Sequence, residues 1–258
     1  MRIATWNVNS LKVRLLQVLD WLEQQQPDVL ALQELKLDQP AFPLAEITAA
    51  GYHAVWAGQK TYNGVALLSK LPCENAVAGI PDYDDPQRRV IAATIAGVRV
   101  INVYCVNGES LDSDKYHYKL HWFSQLSRYI AAELQTYPQL VLLGDFNIAP
   151  DERDVYDAEK WRDCVLCSPA ERAAFQQLLD LGLHDSFRLF QAEAGRYSWW
   201  DYRAAMFRRN LGLRIDHILL SDALRPYALS CEIDLQPRKN ERPSDHTPVM
   251  LSLNYPHN

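Results

Sequence analysis

The sequence predicts an α/β fold in which helices pack outside two mixed β-sheets. Three observations support it: apolar runs of strand length recur along the 258 residues, amphipathic helical stretches alternate with strands at the start, and hairpins lie in between. The chain contains no internal repeat, low-complexity tract or linker. We therefore expect one domain over residues 1–258.

The strand candidates are nearly continuous runs of apolar residues, which is typical of strands covered on both faces. In chain order they are RIATW, DVLALQ, HAVWA, GVALLS, VIAATIAGVRVINVY, LVLLGDF, RIDHILLS and TPVMLSL. The fifth run carries Ala96-Gly97 near its middle, and this dipeptide predicts the turn of a hairpin.

Three stretches carry apolar residues at helical spacing. Prolines close the first two, and the third opens on Ser168-Pro169 with Glu171 three residues after the serine, which is the pattern of a capping box. The third is expected to end at a glycine. The expected helices are residues 11–26, 117–135 and 168–182.

Composition and sequence pattern argue against a membrane-spanning protein, an exported protein and a zinc-binding protein. Hydrophobic residues make up 48% of the chain and charged residues 22%, and no stretch approaches the ~20 apolar residues of a membrane span. The N-terminus begins with strand-like alternation and carries no export signal. Five scattered cysteines predict a reducing, cytoplasmic location, and the lone CxxC at Cys164 and Cys167 lacks the partners of a zinc site.

The charge is unevenly distributed. The net charge of −6 argues against a surface that is basic overall. Residues 151–163 carry six acidic residues against three basic ones, whereas residues 196–214 carry five arginines against one Asp. The second segment is therefore a candidate basic face.

Several strand candidates end in polar side chains. Asp145 and Asn147 follow the buried run LVLL and, being two positions apart, would project to the same side of a strand. Gly, Asp and Asn are also ordinary turn residues, so this pair alone would indicate a turn. The pattern recurs, however, at five places: Asn7 with Asn9, Gln33 with Glu34, Asp145 with Asn147, Asp216, and Asp245 with His246.

Charged groups at the ends of apolar strands cost several kcal/mol to desolvate unless they are compensated. A shared cation would compensate them, and oxygen ligands without a cysteine cluster favour Mg²⁺ or Mn²⁺. His246 next to Asp216 or Asp245 adds an imidazole whose basicity a carboxylate raises. Such a set of groups is suited to hydrolysing a phosphate ester.

These residues and their order resemble the exonuclease III and abasic (AP) endonuclease family, within the deoxyribonuclease I-like phosphodiesterases. The resemblance rests on eight motifs that span almost the whole chain: TWNVNSL, LALQELK, NGVALLSK, INVYCVNGES, LLGDFNIAP, YSWWDYR, GLRIDHILLS and RPSDHTPV. It implies a four-layer α/β sandwich with the active site at one edge. It also implies a Mg²⁺-dependent enzyme of DNA repair that acts on duplex DNA at 3′ ends, nicks or abasic sites, with Mn²⁺ able to substitute.

The resemblance assigns roles to individual residues. Glu34 would be the principal Mg²⁺ ligand, and Asp145 would position or deprotonate the attacking water. Asn147 would hold that water and the phosphate, and Tyr104 would donate to a phosphate oxygen. His246, oriented by Asp216, would bind the scissile phosphate and stabilise its developing charge. The expected catalytic residues are Tyr104, Asp145, Asn147, Asp216 and His246, and the expected metal environment is Asn7, Glu34, Asp145, Asn147, Asp245 and His246.

In this family the region matching residues 196–214 approaches DNA. The resemblance therefore places Trp199, Leu213 and Ile215 on the wall of a pocket for the terminal or abasic sugar. Trp200 fits either core packing or the pocket. Arg203, Arg208 and Arg209 would grip phosphates, Met206 or Phe207 would wedge into a groove, and the KYHYK run at 115–119 is a lesser candidate.

Two positions depart from the family pattern. Val106 stands where a proline is common, and Leu166 stands where the family has a small residue beside the sugar pocket. A branched side chain at Leu166 would shrink the space into which an internal abasic nucleotide is flipped, while a 3′ terminus needs less room. We therefore expect a preference for 3′ ends, as exonuclease or 3′-phosphatase, with weakened AP endonuclease activity.

Two other functions remain open at the level of sequence. One is a phosphatase or phosphodiesterase of the same superfamily with a non-DNA substrate, and the other is a non-catalytic nucleic-acid-binding relative. No polar residue of the site is missing, which argues against the second. No long apolar stripe is present, so we expect a monomer.

Overall fold

The chain folds as two six-stranded β-sheets packed face to face, with helices on the outside. This computed structural model describes residues 1–255. The sheet orders are β11-β12-β1-β2-β4-β3 and β5-β6-β7-β8-β10-β9. The strands are β1 Arg2–Asn7, β2 Val29–Gln33, β3 His53–Ala57, β4 Val65–Ser69, β5 Glu74–Ala78, β6 Val90–Ile95, β7 Val98–Tyr104, β8 Leu140–Asp145, β9 Leu183–Asp185, β10 Asp216–Ser221, β11 Ala228–Ile233 and β12 Val249–Leu253. The α-helices are α1 Leu11–Gln25, α2 Leu44–Ala49, α3 Asp114–Thr136 and α4 Pro169–Leu179.

Both sheets are mixed, because each contains one parallel pair among antiparallel ones. In the first sheet β1 runs parallel to β2, and in the second sheet β7 runs parallel to β8. Apolar side chains from both sheets, such as Ile3, Val29, Val100 and Leu143, share one central core. Separate apolar clusters join α1 to the outer face of the first sheet and α3 and α4 to that of the second. The predicted four-layer α/β sandwich is confirmed.

Register places the polar strand ends at one edge of the sandwich. Asn7 at the end of β1 lies beside Gln33 at the end of β2, and Tyr104 at the end of β7 lies beside Asp145 at the end of β8. Asp216, the first residue of β10, also pairs with Asp145. The carboxyl ends of both parallel pairs therefore carry the side chains that the sequence singled out.

Buried amides link the two sheets behind this edge. Asn102 of β7 donates from Nδ2 to the carbonyls of Leu32 and Ala66 in the first sheet, at 2.9 and 2.8 Å. Gln33 donates from Nε2 to Asn102 Oδ1 and to Thr5 Oγ1, at 2.8 Å each. Buried polar groups that are bonded in this way restrict how the sheets can slide against each other.

Most element predictions are confirmed, with shifted ends. The hairpin turn lies at Ala96-Gly97, where both residues have positive φ. Helix α3 begins three residues before His117, because the Ser113 hydroxyl accepts from the amide of Tyr116 and caps it there. Helix α4 has the predicted capping box but ends at Leu179, three residues before the expected glycine. Helix α2 and strands β5, β9 and β11 were not predicted.

No helix within residues 1–255 has the length and apolar character needed to cross a bilayer.

Candidate active site

One amide joins carboxylates from the two sheets. Asn7 Nδ2 lies 2.9 Å from Glu34 Oε1 and 2.8 Å from Asp145 Oδ2. Asn7 and Asp145 are buried, whereas Glu34 is partly exposed. Glu34 has a φ of 53°, a left-handed conformation that non-glycine residues rarely adopt. Such strain is common at functional sites, where the surroundings hold it in place.

His246 is backed by Asp216 rather than by its neighbour in sequence. Its Nδ1 lies 2.9 and 3.1 Å from the two carboxylate oxygens of Asp216, and its Nε2 lies 3.7 Å from Asp145 Oδ2. Burial disfavours the imidazolium, but Asp216 and Asp145 outweigh it and raise the pKa of His246 to about 10. The imidazole is therefore protonated at neutral pH, with its Nε2–H group facing Asp145.

Glu34, Asp145 and His246 form a group of the size that holds a divalent cation, in which the two carboxylates are the anionic ligands and His246 could ligate only in its neutral form. Each offers one ligand atom, and these atoms lie within 4.8 Å of one another. Burial raises the pKa of Asp145, His246 opposes that rise, and the charge of Asp216 adds to it. A cation next to the carboxylate would favour its ionised form. Two carboxylates with a nearby amide suit a hard ion such as Mg²⁺.

Asn147 is held against Asp145 by its own backbone and side chain. Its N–H donates to Asp145 Oδ1 at 2.9 Å, its Nδ2 donates to the carbonyl of Cys105, and its Oδ1 accepts from Asn107. The two side chains thus lie together, as their spacing indicated. Tyr104 completes this side of the site. Burial, Glu34 and Asp145 hold the pKa of Tyr104 well above its ordinary value, so its hydroxyl is a donor.

Asp245 lies between the group of Glu34, Asp145 and His246 and the side chain of Trp199. Its carboxylate accepts from Asn9 Nδ2 at 2.9 Å and from Trp199 Nε1 at 3.0 Å. Lys36 Nζ lies 2.6 Å from Asn9 Oδ1 and 3.0 Å from Glu34 Oε2. A continuous polar chain therefore connects Glu34 to Trp199, and Asp245 is part of that chain rather than of the three-ligand group.

An apolar cluster lies beside this polar chain. Leu166, Leu213 and Ile215 are buried in one cluster, and Trp199 is half-buried against it. Trp199 also bridges to both Leu213 and His246 by backbone pairing. Trp200 by contrast is fully buried and packs edge-on against Phe207, which settles its role as core packing.

The arginine-rich segment has an exposed middle part. Arg203, Arg208 and Arg209 are exposed, and Met206 is half-buried. Arg203 is paired with Asp201 at 2.5 Å. Lys119 of the KYHYK run, by contrast, is fully buried. The DNA-binding roles of the exposed residues stay predictions.

A buried ionic network around Arg214 was not predicted. Arg214 Nε lies 2.7 Å from Asp154 Oδ1, and its Nη2 lies 2.7 Å from Asp185 Oδ2. Its Nη1 donates to His217 Nδ1 at 3.0 Å, and His217 Nε2 donates to the carbonyl of Ile148. Burial and Arg214 lower the pKa of His217 to about 4. Sequence reasoning missed the network because the partners of Arg214 lie 60 and 29 residues away along the chain.

The chain is similar to several known proteins over almost all of its length. The sequence profile of the endonuclease/exonuclease/phosphatase family matches residues 4–246. Exodeoxyribonuclease III of Haemophilus influenzae is 38% identical over 96% of this chain and 98% of its own length. The 3′ phosphatase NExo from Neisseria, solved with a product DNA hairpin, gives a TM-score of 0.98 at 55% identity, covering 99% of this chain and 100% of that chain. An AP endonuclease from Archaeoglobus fulgidus gives 0.96 at 37% identity, again over 99% and 100%.

Proposed function

This chain belongs to the endonuclease/exonuclease/phosphatase family and, within it, to the exonuclease III and AP endonuclease group, and on that premise we propose a Mg²⁺-dependent DNA-repair phosphodiesterase that acts mainly on 3′ ends. Its substrates would be duplex DNA with 3′-phosphates, other blocked termini, nicks or abasic sites. The observation that carries the proposal is the convergence of Glu34, Asp145 and the Asp216–His246 pair next to the apolar cluster of Leu166, Leu213 and Ile215.

The cation would be held by the carboxylates of Glu34 and Asp145, with Asn7 and Asn147 beside them and Asp245 reached through Asn9. His246, protonated on both ring nitrogens, would lie next to the ion rather than bind it. When bound, Mg²⁺ would neutralise charge on the scissile phosphate, and Mn²⁺ would serve in its place. The remaining catalysis falls to positioning and to hydrogen bonding by the protein's own side chains.

Asp145 is placed to accept the proton of the attacking water. Burial raises the pKa of Asp145, and the bound cation would oppose that rise and keep the carboxylate ionised, so that it can accept a proton. Asn147, fixed through three hydrogen bonds, would orient that water and a phosphate oxygen. Protonated His246, oriented by Asp216, would stabilise the charge that develops on the phosphate, and the Tyr104 hydroxyl would donate to a second phosphate oxygen.

The preference for 3′ ends rests on Leu166. This residue belongs to the same buried cluster as Leu213 and Ile215, so its side chain fills part of the pocket wall. A flipped internal nucleotide carries DNA on both sides and needs more room than a terminal one. The similar Neisseria protein is described as a 3′ phosphatase, which agrees with this reading.

A side-by-side substrate comparison tests the proposal. Wild-type protein should release phosphate from a nicked 3′-phosphate duplex in Mg²⁺, not in EDTA, and more efficiently than it incises an internal abasic duplex. Leu166→Gly should raise abasic incision by about tenfold, the scale of steric discrimination by an apolar pocket. Glu34→Gln and Asp145→Asn should each abolish release.

Three results would contradict the proposal. Equal rates on both duplexes, or no gain from Leu166→Gly, would remove the 3′-end preference. Mg²⁺-dependent release that survives both Glu34→Gln and Asp145→Asn would overturn the site. Activity on a phosphorylated small molecule without activity on DNA would favour the non-DNA alternative.

We also infer a cytoplasmic monomer. All five cysteines are free thiols, which fits a reducing compartment. Light scattering at micromolar concentration tests the oligomeric state, and a dimer mass would contradict it.

A further inference from the structure

Lys119 and Glu171 form an ion pair that is completely removed from solvent. Lys119 Nζ lies 2.5 Å from Glu171 Oε1, and both side chains are 0% exposed. Lys119 lies on α3 and Glu171 in the first turn of α4. Because two charges leave water only at a large desolvation cost, such a pair needs further hydrogen bonds. The partners in those bonds identify what the pair holds in place.

The carboxylate of Glu171 binds a residue outside its own helix. Its Oε2 accepts from the N–H and the hydroxyl of Ser168, at 3.0 and 2.7 Å, which completes the capping box of α4. Its Oε1 accepts, in addition, from the N–H of Leu166 at 3.0 Å. A capping box does not require this last bond, so it serves the loop before the helix.

That bond fixes Leu166 in an unfavourable backbone conformation. Leu166 has a φ of 75°, which a branched side chain adopts only where its surroundings impose it. Its N–H is held by Glu171, and its carbonyl accepts from the N–H of Ala149 at 2.8 Å. In this conformation the side chain lies in the cluster with Leu213 and Ile215.

Lys119 holds the catalytic side of the same site. Its other two N–H groups donate to the carbonyls of Asn147 and Asn107, at 2.7 and 3.0 Å. Gly108 lies directly over its side chain, since a Cβ on that glycine would be 3.2 Å from Lys119 Cδ. All three donors of the ammonium are therefore used within the protein, and none is left for DNA.

We propose that the Lys119–Glu171 pair is a positioning element that fixes Leu166 relative to Asn147 and thereby sets the preference for 3′ termini over internal abasic sites. This inference rests on the proposed function. Without the pair, the loop carrying Leu166 would relax from its positive φ, and the pocket wall would withdraw from the space that a flipped nucleotide needs. Asn147 would lose one anchor at the same time.

The test measures kcat and KM on the two duplexes, one with a nicked 3′-phosphate and one with an internal abasic site. Glu171→Gln keeps the size of the side chain but removes its charge and one acceptor. The ratio of abasic incision to 3′-phosphate release should rise by about tenfold in this variant. Lys119→Met should shift the ratio in the same direction and should also lower kcat for 3′-phosphate release.

Two further variants separate positioning from general destabilisation. In a Leu166→Gly background, Glu171→Gln should change the ratio less than about twofold, because effects that act through one residue are not additive. Glu133→Gln is the matched control. It breaks the Arg99–Glu133 pair, which is also 2.5 Å long and mostly buried, at the other end of α3. Its ratio should equal that of the wild type.

If Glu171→Gln does not fold, Ser168→Ala removes the hydroxyl that donates to the Glu171 carboxylate and that also bonds the Glu171 N–H and the Tyr116 hydroxyl. This variant should move the ratio in the same direction by about two- to threefold. If the wild-type protein is active and Glu171→Gln leaves the ratio of abasic incision to 3′-phosphate release unchanged, the inference is overturned. The same holds if Glu133→Gln causes the same shift in the ratio, or if the effects of Glu171→Gln and Leu166→Gly on it are fully additive. A wild-type protein inactive on both duplexes would instead overturn the proposed function.

Discussion

Removing the charge of Asp216 gives the sharpest test of the role assigned to His246. Asp216→Asn keeps the size of the side chain that lies 2.9 Å from His246 Nδ1. We expect kcat for 3′-phosphate release to fall by about 10²–10³-fold at pH 7.5, while KM for DNA changes little. The reason is that His246 would become neutral and lose the charge that stabilises the phosphate.

The magnitude follows from the pKa of His246. The difference between 6.5 and about 10 corresponds to roughly 5 kcal/mol in favour of the imidazolium. Both side chains are almost completely buried, so solvent does not screen their interaction. Asp145 would remain and would retain part of this stabilisation. A loss of about 3–4 kcal/mol in the transition state corresponds to the expected change in rate.

Single-turnover release of 3′-phosphate across pH 6–10 measures the effect, and NMR of the imidazole carbon reports the pKa of His246 directly. Asp222→Asn is the matched control, because it breaks an Asp–His pair of 2.6 Å with His184 at the surface. Its activity should equal that of the wild type. A change of kcat below threefold in Asp216→Asn, with the imidazole pKa unmoved, would refute the reasoning.

Three more predictions concern metal binding and stability. Lys36→Met should tighten Mn²⁺ binding by about fivefold in calorimetry, because the ammonium 3.0 Å from Glu34 Oε2 competes with the metal for that carboxylate. The free energy of unfolding in urea should fall by roughly 3 kcal/mol between pH 7 and pH 4 on account of His217, whose pKa is lowered from 6.5 to about 4. In that interval the unfolded chain binds a proton that the folded chain excludes, so stability rises with pH. Arg214→Met should cost about 3–5 kcal/mol in the same urea titration at pH 7, because it leaves Asp185 without its ion-pair partner and the buried Asp154 with Arg188 alone.

A different result would contradict each of these three predictions. Weaker Mn²⁺ binding by Lys36→Met would mean that the ammonium supports the carboxylate rather than competes. His217→Gln should flatten the pH dependence of stability, and an unchanged slope would assign it to other groups. A cost below 1 kcal/mol for Arg214→Met would mean that water or Arg188 compensates for the lost guanidinium, since Arg188 also contacts Asp154.

Sequence periodicity predicted the elements that are buried. Runs such as VLALQ and LVLLGD became β2 and β8 with every residue buried, because continuous apolar runs have no other stable environment. Strand β5, ENAVA, was missed because almost all of its side chains are exposed, and β9 was missed because it has only three residues. Strands of these kinds are specified by the partner strand rather than by their own composition.

The sequence predicted which residue types form the candidate site, but not all of the hydrogen bonds and ion pairs between them. Glu34, Asp145 and His246 were predicted because they are polar residues at the ends of apolar strands. Charged groups in such places are costly to desolvate, and one shared cation would compensate all of them. The family resemblance already implied Asp216 as the partner of His246, whereas the residues alone left Asp216 and Asp245 open, because the pairing depends on how β10 and the loop before β12 meet. The Lys119–Glu171 pair left no sequence signal beyond the capping box, since its ends are 52 residues apart.

The pairing of β1 with β12 has a consequence for synthesis on the ribosome. The strand that carries Asn7 is among the first to be made and can pair early with β2, but its second neighbour is residues 249–253, which are made much later. Until then one edge of β1 is open, and His246 is absent from the site. We therefore expect a nascent chain to be unable to cut nucleic acid before these residues have emerged.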